Sequence, residues 1–234
     1  MRPVRRERDL GRTRRTDPVE LGAGGPAGNA RLTAWTGVTL LMMFIAELIT
    51  LIDVRQLIGW HVIIGTLLVP PALLKTGTTG WRILGYYGRR QPYRDAGPPP
   101  MLLRILGPLV VASTLAVLGT GLLLILLGPD TSRRTLLDTL GQRVDWVAIH
   151  QATFAVWAVV TGLHTLARLI PAIRLTVAPA EPGQPVPGQV RRAVTLTATV
   201  TIAAVAAAMV WSAAGSWRNQ PEHRFRPPGQ HSSH

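Results

Sequence analysis

Five ionisable side chains lie within the core of the unit formed by the first four long apolar segments, where such groups are costly and point to function. They are Glu47, His61, Lys75, His150 and His164. Fourteen residues separate His61 from Lys75, and fourteen separate His150 from His164. In an α-helix that spacing covers about 3.9 turns and 21 Å, so each pair lies on one helix face at two depths. The sequence thus predicts two helices that each carry nitrogen-bearing side chains at the same two depths.

Apolar segments of membrane-spanning length recur along the chain. Hydrophobic residues make up 47% of the sequence and charged residues 16%, yet the net charge is +13. A bilayer core of roughly 30 Å needs about 20 apolar helical residues, and we predict spans at 32–53, 57–75, 102–127, 146–170 and 193–214. The predicted fold class is an all-α membrane protein, with a four-helix transmembrane bundle plus a fifth transmembrane helix.

The distribution of basic residues predicts the orientation of the chain. Eighteen of the 25 Lys and Arg residues lie in the N-terminal tail and the 75–104 and 168–192 connections, and seven lie on the other side. Because basic residues accumulate on the cytoplasmic side, we predict a cytoplasmic N-terminus and an outer C-terminus. The predicted location is a bacterial-type inner membrane, in which the bilayer itself is the first partner.

Segments rich in Pro, Gly and Arg divide the chain. We predict a disordered basic tail at 1–30, a four-helix unit at 31–175, a Pro/Gly linker at 176–192, a fifth helix at 193–215 and a disordered tail at 216–234. The connection after the second span, with its Gly-Tyr-Tyr-Gly and Pro-Pro-Pro elements, is predicted to be a structured loop.

Composition also excludes several kinds of site. The absence of cysteine rules out disulfides, cysteine-ligated zinc, iron–sulfur clusters and covalently attached haem. The basic residues flank membrane spans, which indicates that they set the orientation of the chain in the membrane rather than bind nucleic acid. No phosphate-binding loop and no hydrolase motif such as G-x-S-x-G or H-E-x-x-H occurs.

The histidines are the residues best suited to chemistry. His61 and His150 each lie four residues after a span begins, in two spans that run in the same direction, so they share one depth. Two neutral imidazoles facing each other across a helical bundle provide the axial ligands of a b-type haem. The alternative is that each histidine forms only an interhelical hydrogen bond.

These residues carry a resemblance to a known group of proteins. The H-x13-H spacing in the fourth span, with a histidine at the matching level of the second, resembles the bacterial membrane cytochromes b, which include the cytochrome b561, hydrogenase cytochrome-b-subunit and ferric-reductase-like four-helix families. The resemblance covers roughly residues 32–170. It implies haem b bound by His61 and His150, and electron transfer as the activity.

Lys75 departs from the pattern of the membrane cytochromes b. A second haem would need a histidine where this chain has Lys75, and an ammonium must lose a proton before it can bind iron. At the predicted end of its helix Lys75 is expected to extend to the interface, or to pair with a haem propionate or a quinone oxygen. We predict one haem, and an inner polar site formed by His164 and Lys75.

Glu47 lies within about one helical turn of the two histidines in depth. It could orient a ligand imidazole through Nδ1–H, complete a metal site with two histidines, or transfer protons to a quinone. A simple ion pair with Arg55 is the structural alternative. We predict that it tunes a haem rather than binding the iron.

Three classes of function are open to such a chain. The leading hypothesis is a membrane b-type cytochrome module that transfers electrons between a redox partner protein and the quinone pool, as a subunit of an oxidoreductase. The second is a cofactor-free structural or assembly subunit that holds a partner through the fifth helix and both tails. The third, a small transporter, is disfavoured by the few polar residues in the first four spans.

The orientation can be tested directly because the chain has no native cysteine. In intact cells a membrane-impermeant thiol reagent should label Asp138→Cys and leave Arg90→Cys unlabelled, since these positions are predicted to lie outside and inside. Labelling of Arg90→Cys alone would reverse the predicted topology.

Overall fold

The structure, a computed structural model, describes residues 17–97, 101–139, 142–177 and 186–218. Seven helices and one two-stranded hairpin are found in these ranges. In chain order they are α1 (Gly25–Thr50), α2 (Ile58–Tyr87), α3 (Gln91–Ala96), α4 (Met101–Ser132), β1 (Leu137–Thr139), β2 (Gln142–Val144), α5 (Trp146–Val177), α6 (Gln189–Ala213) and α7 (Gly215–Arg218).

Five of the helices, α1, α2, α4, α5 and α6, are long and apolar enough to cross a membrane. Helices satisfy every internal backbone hydrogen bond within one segment, which a hydrocarbon environment demands. The prediction of an all-α membrane protein with five spans is therefore confirmed. The strands β1 and β2 form a short antiparallel hairpin between α4 and α5, in which Leu137 pairs with Val144.

Four of the spans form a closed bundle. Helix α1 packs against α2 and α5, while α4 packs against α5 and, less extensively, against α2. Helices α2 and α5 therefore occupy opposite corners, and their side chains meet across the bundle interior. Helix α6 lies outside this unit, mainly against α2.

The middle of the bundle is filled by apolar side chains. Leu40, Leu68 and Ala72 are buried between α1 and α2, packed against three partly buried neighbours, Met43, Phe44 and Leu118. Trp157 of α5 is 7% exposed and packs edge-on against Phe44, with ring centroids 4.8 Å apart. Its indole N–H donates to the Thr114 hydroxyl at 3.1 Å, so the polar end of this large side chain is also satisfied.

One predicted boundary is wrong: α2 does not end at Lys75 but continues to Tyr87. Contacts with α1 support this extension. Asn29 donates from Nδ2 to the Thr78 carbonyl at 3.0 Å, and the Thr33 hydroxyl donates to the Thr78 hydroxyl at 3.0 Å. Interhelical packing thus overrides the low helix propensity of the glycines that follow Lys75. Most of the predicted loop after the second span is helical.

The predicted end of the third span coincides with a break in α4. Gly128 has φ 72° and ψ 169°, a conformation that glycine reaches easily because it lacks a Cβ atom. The apolar part of α4 ends there, one residue after the predicted boundary.

The remaining differences lie at the segment ends. Helix α1 begins at Gly25, so the end of the predicted disordered tail is helical. Helix α6 begins at Gln189, within the predicted linker, and α7 includes the first residues of the predicted outer tail. Residues 1–16, 178–185 and 219–234, which carry much of the predicted tails and linker, lie outside the described residues.

Candidate functional site

His61 and His150 meet inside the bundle, near the end that carries the β-hairpin, hereafter the hairpin end. Their ring centroids are 6.4 Å apart and their planes are inclined by 75°. His61 lies in the first turn of α2 and His150 in the second turn of α5. The predicted equal depth of the two rings follows from the parallel direction of these diagonal helices.

His61 is held by two groups from the end of α1. Its Nδ1 lies 2.8 Å from Oε1 of Glu47 and 3.1 Å from the Thr50 hydroxyl. That hydroxyl donates its own proton to the Glu47 backbone carbonyl. A carboxylate is only an acceptor, so Nδ1 of His61 carries the proton in this arrangement.

His150 has a matching partner on α4. Its Nδ1 lies 2.9 Å from the Thr120 hydroxyl, and that hydroxyl donates to the Ala116 carbonyl at 2.8 Å. Because a hydroxyl has a single proton, Nδ1 of His150 is assigned as the donor to Thr120. Thr153 lies 3.2 Å from the Thr120 hydroxyl and completes this polar cluster.

The resulting tautomer matters for ligand binding. With the proton on Nδ1 of both rings, each Nε2 carries the free electron pair that binds a metal. Histidines that ligate metals commonly donate their other N–H to a carboxylate, carbonyl or similar acceptor, which fixes the ring orientation. His61 and His150 both have such a partner.

Two glycines provide room beside these rings. A Cβ atom added at Gly121 of α4 would lie 3.2 Å from Cε1 of His150, and one at Gly65 of α2 would lie 3.5 Å from Oε1 of Glu47. A side chain at Gly121 would crowd the imidazole of His150, whereas a Cβ atom at Gly65 would make an ordinary contact with the carboxylate. Gly121 belongs to the Gly119-Thr-Gly121 segment, so the same segment supplies both the hydroxyl and the space.

The ring separation is compatible with one metal between the two histidines. Two imidazoles bound on opposite faces of a metal have centroids roughly 6 Å apart, given metal–nitrogen bonds of about 2 Å. Within the described part of the chain, no group of three or more His, Cys, Asp or Glu residues could hold a metal ion. A haem would need only two protein ligands, because its macrocycle supplies four nitrogens, and the paired histidines fit that requirement.

Glu47 is directed at His61, as one of the predicted roles requires. The side chains of His61 and Glu47 are 22% and 14% exposed, and the second carboxylate oxygen, Oε2, is buried without a hydrogen-bond partner among the described residues. The alternative ion pair between Glu47 and Arg55 is not found, and the carboxylate pairs with His61 instead.

Lys75 does not behave as its predicted position at a helix end suggested. It lies twelve residues before the end of α2, and its ammonium donates to the Thr33 carbonyl of α1 at 3.2 Å. The Lys75 nitrogen also lies close to Gly37 of α1, where an added Cβ atom would be only 2.7 Å from it. The expected extension to the interface is therefore replaced by an interhelical hydrogen bond.

His164 lies within electrostatic range of Lys75, and the inner polar site predicted for these two residues stays a prediction. The Nδ1 atom of His164 is buried and has no hydrogen-bond partner among the described residues. This level lies fourteen residues, or about 21 Å, from the His61–His150 level. That distance exceeds the reach of a propionate on a haem centred between His61 and His150.

Several site residues were not predicted from the sequence, namely Thr50, Thr120 and Thr153. A threonine in a membrane helix usually donates to a carbonyl of its own preceding turn, so its type carries no signal for a histidine partner. Gly121 of α4 lies against His150, a role that its residue type alone does not indicate.

Comparisons with protein-family models, curated proteins and solved structures find no match. The resemblance to membrane cytochromes b is therefore a prediction from residue spacing. The paired rings of His61 and His150, each with a hydrogen-bond partner on Nδ1, are the structural feature that bears most directly on function.

Proposed function

We propose that this protein is a membrane b-type cytochrome module that binds one haem between His61 and His150. The observation that supports this proposal is the pair of opposed rings, 6.4 Å apart, each with a hydrogen-bond partner on Nδ1. Neither histidine alone, with its hydrogen-bond partner, would suggest a ligand site. Together they hold two imidazoles at this separation inside an apolar bundle, with the Nδ1 atom of each ring engaged.

When bound, the haem would supply one-electron redox chemistry. The protein's own contribution is to orient the ligands and to exclude water. The bundle interior below the histidines is closed by apolar and aromatic side chains, including Phe44 and Trp157. A surrounding of this kind sets both solvent access and redox potential.

The two ligands have unequal surroundings. His61 donates to a carboxylate, whereas His150 donates to a hydroxyl. A carboxylate partner raises the basicity of the imidazole and favours the more positive iron state. Glu47 would thereby give a bound haem a lower reduction potential than a hydroxyl partner in its place.

Electrons would pass between a redox partner protein and the quinone pool of a bacterial-type inner membrane, with the N-terminus in the cytoplasm. His164 is our candidate for a quinone carbonyl, because its buried Nδ1 lacks a partner within the described chain. Lys75 is engaged with Thr33, which leaves it a supporting electrostatic role beside His164.

The visible spectrum of the purified protein tests this proposal. The reduced protein should show b-type absorbance, and both His61→Ala and His150→Ala should abolish it because each removes an axial ligand. His164→Ala is the matched control, a histidine on the same helix face as His150 that should retain the haem and slow electron exchange with quinone.

Two results would contradict the proposal. One is a wild-type protein without b-type absorbance in the alkaline pyridine assay. The other is an intact function in His61→Ala together with its loss on deletion of 193–214, which would identify a structural subunit instead. Loss of half of a two-haem signal in His164→Ala would overturn the single-haem assignment.

Glu47→Gln should retain the haem and raise its reduction potential, because the amide keeps the shape of the carboxylate and removes its charge. Charge-assisted hydrogen bonds are worth about 1.5–3 kcal/mol, which for a one-electron couple corresponds to a rise of roughly 65–130 mV in a redox titration. Asp53→Asn, the same change at an exposed turn of the hairpin end, should leave the potential unchanged. Loss of haem in Glu47→Gln, or equal potentials in both variants, would refute the tuning role.

A further inference from the structure

The end of the bundle opposite the β-hairpin, hereafter the basic end, carries positive charge that the described protein does not neutralise. Lys75 and Arg82 come from α2 and Arg168 from α5. Asp17 is the acidic residue that interacts with this group. Both of its carboxylate oxygens are bonded to Arg82, at 2.8 and 2.9 Å.

Lys75 receives no compensation from a carboxylate in the described part of the chain. Its ammonium donates to the neutral Thr33 carbonyl, and the charged group found to act on it is Arg168. A cation held within a membrane span by a single carbonyl is costly. A nearby anion would lower that cost.

Arg168 is the part of this group that a ligand can reach. It lies one turn beyond His164 on α5, is exposed and interacts electrostatically with both Arg82 and Asp17. No hydrogen bond to its guanidinium is found among the described residues. Its planar donor array is therefore available to an oxygen anion.

The depth of Arg168 indicates which anions are present. Eighteen residues separate it from His150 along α5, which is about 27 Å in a helix and close to the roughly 30 Å thickness of the hydrocarbon core. A span with His150 just inside one interface thus places Arg168 at the headgroup level of the other leaflet. Phospholipid phosphates are the abundant anions at that level.

We propose that Arg168 and the neighbouring Arg82–Asp17 pair form a binding site for the phosphate of an anionic phospholipid. The guanidinium of Arg168 provides the direct donors, since phosphate oxygens match its fork geometry. Lys75 adds an attractive field, and the exposed position of Arg168 at the headgroup level lets the acyl chains remain in the bilayer. This site is independent of the proposed haem, whose level is about 21 Å from Lys75.

The test compares Arg168→Gln with Arg191→Gln. Arg191 is an exposed arginine at the basic end, on α6, so both variants lose one exposed charge. Arg82 is left intact because its removal would also release Asp17. Native mass spectrometry of protein exchanged into phosphatidylcholine detergent micelles would count retained phosphatidylglycerol during titration with that lipid.

Wild-type protein and Arg191→Gln should bind one phosphatidylglycerol about fivefold more tightly than phosphatidylcholine, and Arg168→Gln should lose that preference. Arg168→Lys should recover part of it, because the charge returns without the planar donor array. Elution as a monodisperse species, with an unchanged haem spectrum if haem is bound, would separate a lost lipid site from a misfolded protein.

Three results would overturn the proposal. The first is equal loss in Arg191→Gln, which would indicate a general surface charge effect. The second is equal affinity of the wild type for the two lipids. The third is displacement of phosphatidylglycerol by millimolar inorganic phosphate, which would identify a site for a free anion from water.

Discussion

A carboxylate and an imidazole meet at 2.8 Å between the end of α1 and the start of α2, within segments that are apolar enough to span a membrane. In such surroundings neither group can rely on water for its hydrogen bonds, so each needs a partner from a neighbouring helix. The short connection between α1 and α2 makes this pairing possible, because it keeps the two helix ends together. The orientation of His61, and with it the distance to His150, depends on this contact.

The same requirement explains the rest of the polar interior. His150 relies on Thr120, Trp157 on Thr114 and Lys75 on the Thr33 carbonyl. Each of these contacts joins two different helices. Polar groups inside the bundle therefore specify which helices are neighbours, while apolar packing around Leu40 and Leu68 fills the space between them.

The sequence was sufficient to predict the spans and the shared depth of His61 and His150, because both follow from helix periodicity and apolar length. It also indicated Glu47 as a neighbour of the histidines, since depth along a helix is readable from residue number. The extension of α2 to Tyr87 was missed because glycines after Lys75 mimic a helix end, and only packing against Asn29 and Thr33 shows otherwise. The threonine partners were missed because rotation of each helix about its axis depends on tertiary contacts.

The diagonal placement of α2 and α5 has a consequence for biosynthesis. The two histidines are 89 positions apart in the chain, and α5 contacts both α1 and α4 in the bundle. The site between the two rings therefore does not exist while only α1 and α2 have entered the membrane. A molecule that binds between the two rings can therefore enter its site only after α5 has been synthesised.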